Sequence, residues 1–501
     1  MSDATLKKKV AVGAGWMIFL RLATRGVGIV SMLVMARLLL PDDFGLVALA
    51  TTIAGAVEAL GMMGLQLALI RESGVDRKLY DTAFTMTVIR GVLTGLIVAL
   101  SAPIVADFFA DDRLEAVLYV IGAVAVLQGF ENIGTVAFRK DLAFDREFVL
   151  FMTARVTTSV VTFAWALVTD SYWALVAGIC ASRVIRVVMS YTMHPYRPGF
   201  TLAEWRKLIS FSVWIWIASV AGFLRDQADA FVISRCLGIT QVGVFRLGTE
   251  ISSLTTSELV QPICRALLPG FSAMHNTGRS VLESVVESFS AVCLLVLPAA
   301  LGLSLIAAPL VHLALGPNWS DAVPVIRILG MFVIFHVASE IGTVALLTLG
   351  RPDVNAWIVV AATPVRLLCL MGGVGYFGLT GGAWALGVSA GLEGLVFLLQ
   401  MERYLPGVLI GMAAPVGRTT VASLAMAGAL LAANGGPIFA GADALASAAL
   451  VFGNALFGAV VFAIVLVALW LLAGRPAGPE AILIRAVRAR LAPRRLENTL
   501  S

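Results

Sequence analysis

Ten arginines stand inside stretches that are otherwise apolar: Arg21, Arg25, Arg90, Arg155, Arg183, Arg186, Arg225, Arg246, Arg327 and Arg366. Arginine stays charged when partly desolvated, and its planar fork matches the oxygens of phosphate and pyrophosphate. At a lipid-facing bilayer centre each would cost about 2.5–3.5 kcal/mol, so most of them require a wet cavity. Arg21 and Arg25 have helical i, i+4 spacing, which puts both on one face with Thr24 and with Gly28, a residue small enough to leave room. Glu58 on the next apolar stretch offers one carboxylate, too few to neutralise two guanidinium groups. Arg90, Arg155 and Arg183 are further cavity candidates, any one of which can instead pack against Glu131. Arg186, Arg246 and Arg327 lie near the ends of their stretches, where a long side chain can snorkel to water.

The acids in these stretches are Glu58, Glu131, Asp226, Asp229, Glu250, Glu258, Glu340 and Glu393. The first half of the chain therefore has surplus positive charge in its apolar stretches and reads as an anion site. The second half has surplus carboxylate, the group that takes up a proton or Na⁺ within a membrane. The spacing of Arg225 and Asp229 predicts that they neutralise each other, leaving Asp226 as the preferred ion-binding carboxylate. Glu340 is second, and Asp229 completes the set of candidates for ion coupling. The histidines have no metal-ligand spacing, and no cofactor or metal is expected. The five cysteines all fall in or at the ends of apolar stretches without a CxxC pattern, so neither disulfides nor a metal site is expected.

The elements that must hold these residues are membrane helices. Of 501 residues, 59% are hydrophobic and 13% charged, with a mean hydropathy of +0.93. A soluble domain carries roughly 25% charged residues, so a cytosolic enzyme is excluded. At about 20 apolar residues per span, fourteen spans are expected between residues 12 and 473. The net charge of +5 does not indicate nucleic acid, because the basic residues alternate with apolar spans. Outside the spans, 23 Lys and Arg residues fall on the side of the amino terminus and three, Arg37, Arg113 and Arg235, on the other. That bias predicts cytoplasmic termini and an even number of spans.

An internal repeat sets the architecture. ARLLLPDDFGLVALATTI from Ala36 aligns with SRCLGITQVGVFRLGTEI from Ser234, IGTVA recurs at Ile133 and Ile341, and WAL recurs at Trp173 and Trp384. The offset grows from 198 to 208 to 211, as expected for a duplication with small insertions. Six spans repeated with the same orientation give parallel lobes. The expected organisation is an N-lobe over 1–194, a linker over 195–207 and a C-lobe over 208–404. Two extra spans over 405–473 and a basic amphipathic cytoplasmic tail over 474–501 follow.

The strings ARLLLPDDFGLVALA, GLQLALIRE, YDTAFTMTVIRG, YWALVAG and DQADAFVISRCLG resemble the polysaccharide transport family of the multidrug/oligosaccharidyl-lipid/polysaccharide flippase superfamily, notably exopolysaccharide or colanic-acid-type exporters. The resemblance implies an all-α membrane protein with two six-helix lobes in a V and two additional helices. It implies transfer of an undecaprenyl-diphosphate-linked oligosaccharide from the cytoplasmic to the periplasmic leaflet of the bacterial inner membrane. The implied partners are that lipid-linked glycan, membrane lipid and polysaccharide polymerase or export machinery. Similar peptidoglycan-precursor flippases use first-helix arginines for the pyrophosphate, which Arg21 and Arg25 match in kind. They also use a groove near helices 13 and 14 for the lipid tail, which the nearly uncharged last spans match. Three other readings stand beside this one: a cation-coupled multidrug antiporter of the same fold, for which a first-lobe cavity with surplus positive charge is unusual; a membrane-embedded glycan polymerase or ligase, which would be expected to carry a substantial outer loop; and a non-transporting scaffold in a polysaccharide assembly complex, which leaves the arginines in the spans without a reason.

Overall fold

A backbone surrounded by hydrocarbon must satisfy its own hydrogen bonds, so long apolar stretches with few breakers become helices. The computed structural model describes residues 3–60, 69, 77–141, 143–257, 260, 264, 281–439, 441, 444–476 and 478–481, and every regular element among them is helical. In chain order these are α1 (Asp3–Leu38), α2 (Pro41–Leu60), α3 (Arg77–Phe109), α4 (Arg113–Gly129), α5 (Val136–Lys140), α6 (Phe144–Thr169), α7 (Trp173–Met193), α8 (Trp205–Leu237) and α9 (Ile239–Ser257). They continue with α10 (Val281–Leu305), α11 (Ala307–Ala314), α12 (Ala322–Met331), α13 (Val333–Thr348), α14 (Pro352–Tyr404), α15 (Val408–Ala433) and α16 (Ala444–Leu472).

Eight of the described helices are long and apolar enough to cross a membrane alone, and two bent pairs raise that to ten. The 53-residue α14 turns at Gly378, where φ is +62°, and so holds two of the expected spans. α2, α8 and α9 occupy the remaining three expected positions. The chain is a multi-pass, all-α membrane protein.

The duplication is visible in the turns. Ala110 (φ +54°) and Gly316 (φ +98°) lie 206 residues apart and make the same left-handed corner, one in each repeat. Asp170 (φ +42°) plays the part between α6 and α7 that Gly378 plays inside α14. Gly45 on α2 and Gly243 on α9 are repeat-equivalent, and they meet. A Cβ on Gly45 would run into the Ile239 carbonyl, and one on Gly243 into the Pro41 carbonyl, itself the repeat partner of Ile239. The two helices thus cross backbone to backbone about a local pseudo-twofold, which only glycine permits.

The spans expected at 115–138 and 322–349 are not single helices. Each is broken, by 65° between α4 and the segment Ile133–Lys140 and by 55° between α12 and α13. The first break falls at Glu131 and Asn132. Asn132 is fully buried; its Oδ1 accepts from the Gly134 N–H at 2.9 Å, its Nδ2 donates to the Tyr196 carbonyl at 2.8 Å, and its own N–H donates to Ser190 Oγ at 3.0 Å. These bonds satisfy groups that the interrupted helix leaves open. Asn132→Ala removes two of them inside the protein and is expected to cost about 1–3 kcal/mol. A thermal unfolding midpoint equal to that of the parent protein would contradict this.

By packing, the chain forms two compact units, one of residues 1–246 with 314–318 and the other of 247–313 with residues from 319 onward. The division falls inside α9, and the segment 195–207 belongs to the first unit. This extended segment is strapped along the start of α3. The Tyr196 hydroxyl donates to Asp81, the Gly199 N–H donates to Asp81 Oδ1 at 2.7 Å, and the Thr201 N–H donates to Thr85 Oγ1 at 2.9 Å. Burial, then the bond to Asp81, holds the Tyr196 phenol well above its ordinary range.

In the second unit, an apolar core joins α10, α13, the end of α14 and α15 around Phe289, Val337, Ile341 and Met401. After α16 the chain is pinned to α15, where the buried Glu480 accepts from Arg418 at 2.8 and 3.0 Å. The basic tail expected over 474–501 lies mostly outside the described residues.

Candidate functional site

The first unit carries Arg21 and Arg25 on α1, Arg155 on α6 and Arg183 on α7, and α6 packs against both of the other helices. α1 packs along α6, and the Trp16 and Phe19 rings stand 5.3 and 5.2 Å from Phe148. One turn further along α1, Arg21 and Arg25 are half-buried. Gly28, next on the same face, is buried beneath the Arg155 guanidinium, and a Cβ there would occupy the position of Arg155 Nη2. Arg155 therefore lies about one helical turn from Arg25. Arg183 on α7 lies at the depth of Arg155, because Gly178 meets Thr158 and Thr162 while Arg186 stacks on Phe151, 5.1 Å from its ring centre. Arg183 is half-buried and within Coulombic reach of Glu58, Glu131 and Arg186. Glu58 accepts from Gln128 at 3.1 Å, which fixes its carboxylate toward α4. Gly28→Leu would displace the Arg155 guanidinium, and transport is expected to fall at least 10-fold with protein abundance unchanged; parent-level transport would show that Arg155 is not part of the cluster.

Other expectations are corrected. Arg90 is half-buried on α3, whose main packing partners are α4, α2 and α8, so the structure does not bring it to the α1–α6 cluster. Glu131 is held by Arg186, whose Nη2 donates to both carboxylate oxygens at 2.9 Å, rather than by Arg90, Arg155 or Arg183. Arg186, expected to snorkel, is thus in an ion pair over an aromatic ring. Arg225 pairs with Asp226 at 3.2 Å, a partner the spacing had not suggested. Asp226, the preferred ion-binding carboxylate, is therefore paired and 57% exposed, while Asp229 is buried. Neighbours at i, i+1 can meet when both side chains bend to the same solvent-facing side, which helical spacing alone does not show. Glu340 sits on α13 with His336 Nε2 3.8 Å away. Among the described residues no group of His, Cys, Asp and Glu is arranged to hold a metal.

A second polar knot, not expected from the sequence, lies where α2 and α9 begin. There Asp42 accepts from Arg113 Nη1 at 2.6 Å and from Thr240 Oγ1 at 2.8 Å. Burial alone would raise the Asp42 carboxyl, but these two bonds and the Arg113 charge outweigh it and hold the carboxyl below its ordinary range. The signal was present in the repeated alignment of PDD with ITQ, which puts Asp42 opposite Thr240.

The family model described as "Polysaccharide biosynthesis protein" matches residues 34–324. The chain belongs to that family. The succinoglycan biosynthesis transport protein ExoT of Rhizobium meliloti (strain 1021) is 23% identical over 438 residues, which is 85% of this chain and 87% of that protein. The lipopolysaccharide biosynthesis protein WzxC of Escherichia coli (strain K12) is 23% identical over 362 residues, 70% of this chain and 72% of that one. Among solved structures, the lipid II flippase MurJ in an inward closed conformation superposes with a TM-score of 0.71 at 10% identity, covering 92% of this chain and 99% of that one. An inward-facing multidrug resistance MATE family transporter of the MOP superfamily superposes with a TM-score of 0.59 at 15% identity, covering 78% of this chain and 94% of that one. At these identities the structural likeness speaks to the fold, which this member of the polysaccharide biosynthesis family shares with both transporters.

Proposed function

We propose that this chain is a flippase that moves an undecaprenyl-diphosphate-linked oligosaccharide from the cytoplasmic to the periplasmic leaflet by alternating access. The observation that carries the reading is the Arg155 guanidinium over Gly28, on the same face of α1 as Arg21 and Arg25, inside helices that otherwise face hydrocarbon. Guanidinium forks in successive turns of one face suit a pyrophosphate, whose oxygens accept from several donors at once. The names of ExoT and WzxC, a biosynthesis transport protein and a lipopolysaccharide biosynthesis protein, support a glycan cargo, and transport needs no catalytic residue. The Gly45–Gly243 crossing with its Asp42–Thr240 bond, which joins α2 of the first repeat to α9 of the second within the first unit, is then a contact that opens during the cycle. A coupling proton or Na⁺ would act through Asp229 or Glu340, or through Asp226 once its pair with Arg225 opens.

The positive charge on the amino-terminal side supports a bacterial inner-membrane protein with both termini in the cytoplasm. Reporter fusions after Asp111, Asp170 and Asn318 are expected to read outside and those after Lys140 inside; reversal of several would contradict this orientation. Binding separates the cargo classes. Purified protein in neutral-lipid nanodiscs is expected to bind undecaprenyl diphosphate more weakly as salt rises and to ignore cationic dyes. Preference for the dyes would instead support a multidrug antiporter.

A further inference from the structure

Below the arginine cluster, toward the start of α6, lies a half-open cavity of about 40 Å³, lined by Glu131 and Arg139 from the broken span, Glu147 and Phe151 on α6, and Arg186 on α7. Its charges form two ion pairs, Arg139 with Glu147 at 2.7 Å and Arg186 with Glu131 at 2.9 Å. Two carboxylates balance two guanidinium groups, so the cavity has no net attraction for a second anion or for a cation. Yet the balance leaves two groups open. Glu147 is 3% exposed, and its Oε2 has no hydrogen-bond partner; the buried Nε of Arg186 has none either. A buried acceptor and a buried donor left open beside one cavity are costly unless something bridges them. A hydroxyl group both donates and accepts, so its chemistry matches a cavity wall that leaves both an acceptor and a donor open. Phe138 and Phe151 add apolar faces at the rim.

The position of this cavity says which hydroxyls would reach it. Glu147, Phe151 and Arg155 follow at i, i+4 and i+8, so they share one face of α6, and a rise of 1.5 Å per residue puts Arg155 about 12 Å from Glu147. That is the reach of the first sugar rings attached to a pyrophosphate held at Arg155. We propose that the Glu131–Arg139–Glu147–Arg186 cavity is a subsite for a hydroxyl or hydroxymethyl group of the first neutral hexoses of the cargo. The site rests on the pyrophosphate reading of the arginine cluster. It selects for an uncharged sugar at that place and leaves the rest of the glycan unread, because the cavity admits one substituent and not a ring.

The test compares two lipids on the full-length protein in nanodiscs: bare undecaprenyl diphosphate, and the same lipid bearing one glucose or one galactose. The parent protein should bind a sugar-bearing form about 10-fold more tightly than the bare lipid. Glu147→Gln keeps the shape but replaces half of the carboxylate with an amide donor, and it should remove that advantage while leaving bare-lipid binding unchanged. Thr135→Val, a milder change in the cavity wall, should reduce the advantage without disturbing the ion pairs, which keeps the test open if Glu147→Gln folds poorly. Equal binding of sugar-bearing and bare lipids by the parent protein would overturn the subsite while sparing the pyrophosphate reading, because the cavity would then hold water alone. An unchanged advantage in both variants would overturn it too. Binding of neither lipid would overturn the pyrophosphate reading and the subsite with it.

Discussion

Replacing Arg21 and Arg25 together by alanine is expected to reduce transfer of lipid-linked oligosaccharide by at least about 100-fold, with the protein still present in the membrane at parental level. Each hydrogen bond from a guanidinium to a phosphoryl oxygen is worth about 1.5–3 kcal/mol, and every 1.4 kcal/mol is a factor of ten, so losing two such partners reaches this size. Lysine at both positions should restore only part of the activity, because it keeps the charge and loses the fork. The two positions sit on one half-buried face next to Gly28 and the Arg155 guanidinium, so alanine leaves a wetter cavity rather than a collapsed core. Parental transport by the double variant would remove the arginine cluster from the mechanism.

The second large effect concerns the crossing of α2 and α9. Asp42 and Thr240 already touch through their side chains, beside the glycine pair at which the two backbones meet. A double variant, Asp42→Cys with Thr240→Cys, is expected to form a disulfide under mild oxidation and to lose transport more than 10-fold, with recovery on reduction. The comparison is internal to the variant, so any cost of losing the Asp42 carboxylate cancels. If the oxidised and reduced forms transport equally, this contact does not open during the cycle.

Much of the fold could be read from the sequence, and for physical reasons. Apolar runs of membrane length admit few alternatives to helix, and repeated strings such as IGTVA preserve the order of spans. The glycine beside Arg25 also pointed to an open face, and it is where Arg155 arrives. What could not be read was partner choice. Arg186 reaches Glu131 because the break at Asn132 swings that carboxylate toward α7, and a break held by side-chain bonds to Ser190 and the Tyr196 carbonyl leaves no trace in hydropathy. Arg225 also bends to Asp226, a rotamer choice that i, i+4 spacing does not decide. Glu147 went unnoticed because an acid in the first turn of a helix reads as an ordinary charge complementing the helix dipole, and only its burial gives it another meaning.

The account stands most directly on one measurement. Purified protein should be reconstituted into sealed vesicles with an undecaprenyl-diphosphate-linked oligosaccharide, and the fraction of glycan accessible to an external glycosidase followed in time. Transfer is expected with the parent protein and is expected to fall to the rate of empty vesicles with the Arg21→Ala, Arg25→Ala variant. Transfer at the empty-vesicle rate by the folded parent protein, or equal transfer by parent and variant, would contradict it.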